Sequence, residues 1–133
     1  MKKATRNILL AVCFAAVILP MLAGKPSAAD KRKAEYAFME AISKKEAGDI
    51  DAAYALLRHA VTLDPDNPTI NYYVGFTMLN LDRTTDEEVD SATALMRINT
   101  IERPGDYYEN YIYAILNASL SNHAEATRVL ENL

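Results

Sequence analysis

The chain has 133 residues, with 14 basic against 18 acidic side chains, a single cysteine and no tryptophan. A net charge of −4 argues against nucleic acid and against anionic membrane surfaces as partners. One cysteine cannot close an intrachain disulfide, and a chain this short admits one small domain.

The chain opens on a basic start, Lys2, Lys3 and Arg6, followed by an apolar run from Ile8 to Leu22 that Pro20 interrupts. Ser27-Ala28-Ala29 then supplies small residues at a cleavage position. This pattern predicts a secretory signal peptide over residues 1–29 and export to the bacterial periplasm or the outer-envelope side. An uncleaved anchor is the competing reading, but the run is near the lower length for spanning a bilayer and Pro20 weakens it. Cys13 lacks the preceding small residue that a lipid-attachment site needs. Removal of the leader takes away four basic residues and no acid, leaving 10 basic and 18 acidic side chains, a charge of −8. The 104 residues that remain hold no cysteine, so no thiol nucleophile is expected of them, and with the apolar run cleaved off no stable membrane insertion is expected either.

Six helices are expected in residues 30–133. The first runs from Asp30 to about Ala47, with Phe38, Ala41 and Ile42 on its apolar side and Tyr36 and Met39 widening it. Gly48 suits the left-handed position that ends a helix, and Asp49 can cap the second helix, which reaches about Leu63. Asp64-Pro65 stops it. Asn67 can cap the third helix, and Pro68 fits the first helical position, where its missing N–H costs nothing. This third helix, to about Leu81, carries Val74, Met78 and Leu81 on one side and Tyr72, Phe76 and Leu79 on another. A helix apolar on two sides touches neighbours on both, as an inner member of a stack must. Gly75 in its middle costs about 1 kcal/mol of helix propensity, which close approach of another helix would offset. Thr85 with Glu88 forms a capping box for the fourth helix, to about Glu102. Pro104-Gly105-Asp106 turns the chain. Asp106 with Glu109 opens the fifth helix, the most aromatic part of the sequence, and Asn122 with Glu125 opens the sixth, which ends with Leu130 and Leu133.

The pattern repeats. Ala53, Leu57, Ala60 and Pro65 follow steps of four, three and five residues, as do Ala92, Met96, Asn99 and Pro104; Ala126, Leu130 and Leu133 follow the first two steps. Ala92 to Ala126 is 34 residues, and Ala53 to Ala92 is 39. Ala41 precedes Ala53 by 12 and Ala114 precedes Ala126 by 12, whereas Gly75 precedes Ala92 by 17. The five extra residues therefore sit in the turn around residues 82–86. A helix pair of this kind cannot bury its own apolar face and needs copies beside it.

The 34-residue period, the Glu46–Ala53 turn, the Leu63–Pro68 exit and the Val74-Gly75 and Tyr113-Ala114 pairs resemble the tetratricopeptide repeat family over about residues 34–133. The resemblance implies an all-α, right-handed superhelix of antiparallel helix pairs, with three repeats at about 34–67, 68–106 and 107–133. Departures are Glu40 and Lys44 in the first repeat, Asn99 in place of a small residue, and a third repeat without the final turn.

No catalytic, cofactor-binding or metal-binding constellation emerges, so no enzyme is expected. His59 and His123 stand alone, and Asp86, Glu87, Glu88 and Asp90 read as acids favoured at a helix start rather than a calcium loop. The sequon Asn117-Ala118-Ser119 falls inside a helix. What remains is a surface. In the family resembled here, the first helices of successive repeats line a concave groove for a partner's peptide or helix. The implied groove residues are Phe38, Ile42, Tyr72, Phe76, Tyr108, Tyr111 and Ile115, with Asn71, Asn80 and Asn110 nearby. The third and fifth helices have no lysine or arginine, which excludes a carboxylate clamp built from them and favours an apolar or aromatic segment. The alternative expectation is a structural subunit of an envelope complex, associating, or self-associating, through the apolar end at Leu130 and Leu133. A front part of a longer array is expected to end in the same way.

Overall fold

The computed structural model describes residues 24–82 and 84–133. The apolar run assigned to a signal peptide lies outside the described residues. Six helices are present among those described: α1 Ala28–Glu46, α2 Ile50–Leu63, α3 Pro68–Met78, α4 Asp86–Glu102, α5 Tyr107–Ser119 and α6 His123–Leu130. The fold is all-α and built as a helical repeat, with α1 packed mainly on α2, α3 on α4 and α5 on α6. No helix among the described residues is long and apolar enough to cross a membrane.

Local chemistry sets the helix ends. α1 begins two residues before Asp30, because Ser27 and Asp30 form a capping box: the Ser27 hydroxyl accepts from Asp30 N at 3.1 Å, and the Asp30 carboxylate accepts from Ser27 N at 3.2 Å. The Ser27 hydroxyl also donates to that carboxylate, at 2.6 Å, and this bond first and the one from Ser27 N second hold the Asp30 carboxyl below its usual range. Asp49 caps α2 through Ala52 N, and Asn67 caps α3 through Ile70 N, both at 3.2 Å. Thr85 and Glu88 close the expected capping box on α4. Asp106 and Asn122 sit at the N-cap positions of α5 and α6 but make no side-chain cap bond. Glu125 is drawn away into a cluster described below.

The first and third pairs turn in the same way. Ala47, Gly48 and Asp49 donate to the carbonyls of Ser43, Lys45 and Lys44; Leu120, Ser121 and Asn122 donate to those of Leu116, Ala118 and Asn117. Gly48 has φ +83° and Ser121, at the equivalent place, φ +63°. The middle pair differs. α3 ends at Met78, three residues short of Leu81, and the inserted residues form a wider turn. The Thr84 hydroxyl lies 3.2 Å from Met78 O and 3.1 Å from Leu81 O. Met78 O, the counterpart of Lys44 O and Asn117 O, accepts from Leu81 N at 3.2 Å as well.

Small residues set the distance within each pair. Ala41, Ala53, Ala92 and Ala114 are fully buried and Ala126 nearly so. A Cβ on Gly75 would collide with the Ala92 carbonyl oxygen and stand 2.9 Å from Met96 Cγ. The mid-helix glycine is therefore required by the approach of α4, as its place in the sequence suggested. The core forms two clusters joined at α3. One holds Ala34, Ala37, Ala41, Leu57, Ala60, Ile70 and Val74; the other holds Tyr72, Met96, Tyr113, Ala114 and Val129. α3 contributes to both, which is why it is apolar on two sides.

Candidate partner-binding face

Among the described residues the first helices of the three pairs, α1, α3 and α5, carry every phenylalanine and tyrosine ring but that of Tyr54. Phe38 of α1 meets Tyr73 of α3 edge-on, with centroids 5.2 Å apart. Tyr73 also meets Tyr72 edge-on at 5.3 Å, and Tyr72 lies parallel to Phe76 at 6.1 Å. On α5, Tyr107 and Tyr111, one turn apart, are parallel at 6.2 Å. Glu109 of α5 faces Tyr72 and Tyr73; burial first, and this carboxylate second, push both phenols above their ordinary range.

The seven residues expected in a groove do not form one uniform surface. Tyr72 is only 2 % exposed and belongs to the second core cluster, so it supports the face without lining it. The reason is position: α3 lies between α1 and α5, and its neighbours cover it from both sides. Phe38 and Phe76 are half-buried and pack against the core, and Ile42 is half-buried. Lys45 of α1 sits over the Phe76 ring at 5.0 Å, so the cation beside these rings comes from α1 and not from α3 or α5. Tyr108, Tyr111 and Ile115 are 67, 41 and 48 % exposed and run along one stripe of α5. Tyr107, outside the expected set, extends that stripe, and Tyr36 and Met39 of α1 are exposed as well. The helical pattern alone could not separate these from the covered rings.

Asn71 and Asn110, expected near the groove, are buried and serve the turns between pairs. Asn71 Nδ2 donates to Pro65 O at 2.8 Å; Asn110 Nδ2, in the same place one repeat later, donates to Arg103 O at 2.9 Å and Pro104 O at 3.3 Å. Asn80 is exposed and donates to Phe76 O within α3's last turn. Asn117 is 1 % exposed inside α5, so its sequon is closed to a glycan in the folded chain.

A polar cluster was not foreseen. The Glu125 carboxylate of α6 accepts from Arg97 Nε of α4 at 3.0 Å, from Tyr113 Oη of α5 at 3.0 Å, and from Arg128 Nε and Nη2 at 2.7 and 2.8 Å. Arg128 Nη2 also donates to Thr100 Oγ1 at 3.1 Å. The bonds from Arg128, then those from Arg97 and Tyr113, hold Glu125 down at about 2, whereas burial and the bond to Glu125 push Tyr113 up to about 12. The 125/128 spacing is visible in the sequence, but Arg97 is brought in only by the fold. Among the described residues no group of three or more His, Cys, Asp or Glu is placed to hold a metal ion. His59 and His123 are both exposed.

No protein-family profile matches the chain, and no curated protein matches it closely enough to count as a relative.

Proposed function

We propose that this chain is an exported, tetratricopeptide-like binding module that holds an apolar or aromatic segment of a protein partner against α5. The observation that carries this reading is the stripe Tyr108, Tyr111 and Ile115, continued by Tyr107. These are three rings and an isoleucine left exposed on a helix whose opposite face is locked into the core through Tyr113, Ala114 and Asn117. Aromatic anchors on a rigid support bind with little loss of side-chain freedom, and contiguous exposed apolar surface of this kind marks interaction sites. The repeat period, the shared turn geometry at Gly48 and Ser121, and the small residues between paired helices support the family reading. In that reading α1, α3 and α5 line the concave side of a right-handed superhelix.

The test compares Tyr111→Ala, and Tyr108→Ala with it, against the unaltered chain in cross-linking from cells that export it. A cross-linked partner lost from both variants, with thermal melting unchanged, supports the reading. Undiminished capture by both variants removes α5 from the binding surface.

A second reading has its own observation. Leu57 and Met96 are fully buried because α3 and α5 cover them; Leu130, at the same place in the third repeat, is 45 % exposed, and Leu133 is exposed beside it. An apolar patch there suits association with another subunit or another copy. Leu130→Ser with Leu133→Ser would lower the molar mass seen by light scattering if that face associates, and α5 variants would not.

A further inference from the structure

We infer that the side of the molecule formed by the second helices carries a site for a long-chain carboxylate, separate from the α5 face. A groove of about 600 Å³ runs between α2 and α4 with α3 as its floor. Its apolar lining is Tyr54, Val61, Val74, Met78 and Leu95. A volume in this range is that of small-molecule sites.

Charge decides the ligand class. The chain carries 18 acidic side chains, yet none lines this groove; Arg58 and His59 do, and both are exposed. Among the described residues no carboxylate lies within ion-pair distance of Arg58, whose guanidinium carbon stands 6.0 Å from the Tyr54 ring centre. Two further polar side chains of the lining are engaged within the protein: the Thr62 hydroxyl donates to His59 O at 2.6 Å, and the Asn71 amide donates to Pro65 O. The groove therefore offers a strip of aliphatic and aromatic surface with a guanidinium at its side that rests near the Tyr54 ring and is held by no ion pair. A planar fork of donors matches a carboxylate, and the strip matches an unbranched alkyl chain.

The experiment titrates the full chain with dodecanoate below its micelle-forming concentration, by calorimetry and by methyl NMR. Expected are saturable binding and shifts confined to Val61, Val74, Met78 and Leu95. Arg58→Gln should weaken binding about tenfold or more, as loss of a charged hydrogen bond does, with Arg58→Lys intermediate. Dodecanol should bind more weakly than dodecanoate by a similar factor. Absence of saturable binding overturns the assignment. So does equal binding of the alcohol, indifference to Arg58→Gln, or shifts centred on α5. A concentration-dependent dimer that dodecanoate fails to dissociate would give the groove to a second copy and overturn it too.

Discussion

The two junctions between repeats use the same positions with different chemistry. At the first, between α2 and α3, Leu57, Ala60, Ile70 and Val74 meet as an apolar seam. At the second, between α4 and α5, Asn99 stands where Ala60 stands, and Tyr113 where Val74 stands. Asn99 Nδ2 donates to Asn110 Oδ1 at 3.1 Å in a buried site, leaving Asn99 Oδ1 without a partner. The Glu125 cluster then ties α4, α5 and α6 together. An apolar seam is indifferent to pH and tolerant of small slips. A buried amide pair beside an ion cluster specifies one register, and it is sensitive to proton activity and to loss of either partner.

The largest test of this contrast is truncation at one repeat position. Leu57→Ala and Met96→Ala should each cost about 2–5 kcal/mol in urea unfolding, whereas Leu130→Ala should cost under about 1 kcal/mol. Equal losses at all three would mean that the repeat positions are not equivalent in the way the packing implies. Tyr72→Ala belongs with the first group, at about 3–5 kcal/mol, because the ring is core; Tyr111→Ala should leave stability within about 1 kcal/mol.

Acid should separate the junctions next. Glu125 has its folded-state value depressed to about 2, so its contribution is fully present above the unfolded carboxylate range. It is lost as pH falls from about 5 toward 2, and the most it can amount to is about 3 kcal/mol. Hydrogen exchange at a series of pH values should show α5 and α6 losing protection before α1 and α2. Glu125→Gln should remove that difference. Uniform loss along the chain would sink the assignment of the acid response to this cluster.

A smaller effect is expected from the amides. Asn110→Ala removes the acceptor of Asn99 and the donor to two turn carbonyls, and should cost about 2 kcal/mol; Asn71→Ala removes one such bond and should cost about 1 kcal/mol. The smallest effect concerns the matched turns. Ser121→Gly relieves a left-handed serine and should add about 0.5–1 kcal/mol, whereas Gly48→Ala should remove about 1 kcal/mol. Thermal melts of the two variants would move in opposite directions.

Much of the fold was legible from residue spacing. The six helices, the Asn67-Pro68 and Thr85–Glu88 starts, the Gly48 stop and the five-residue insertion all depend on bonds or steric limits within a few residues, which local sequence states directly. Gly75 was legible for the same reason: a glycine costly to its own helix implies a neighbour. The end of α3 was not, because its last carbonyls are met by the tighter turn of Asn80 N and Leu81 N and, from beyond it, by the Thr84 hydroxyl.

The face itself was read only in part. Period and composition determined which residues of α1, α3 and α5 lie on the ring-bearing side, because a helix fixes direction every 3.6 residues. They could not determine exposure, since Tyr72 and Tyr111 occupy the same position in successive repeats. Only the tertiary structure decided that one is core and the other surface, by placing α3 between two helices and leaving one side of α5 open. The Glu125 cluster was settled in the same way: its partners come from α4, α5 and α6, and no local pattern encodes their meeting.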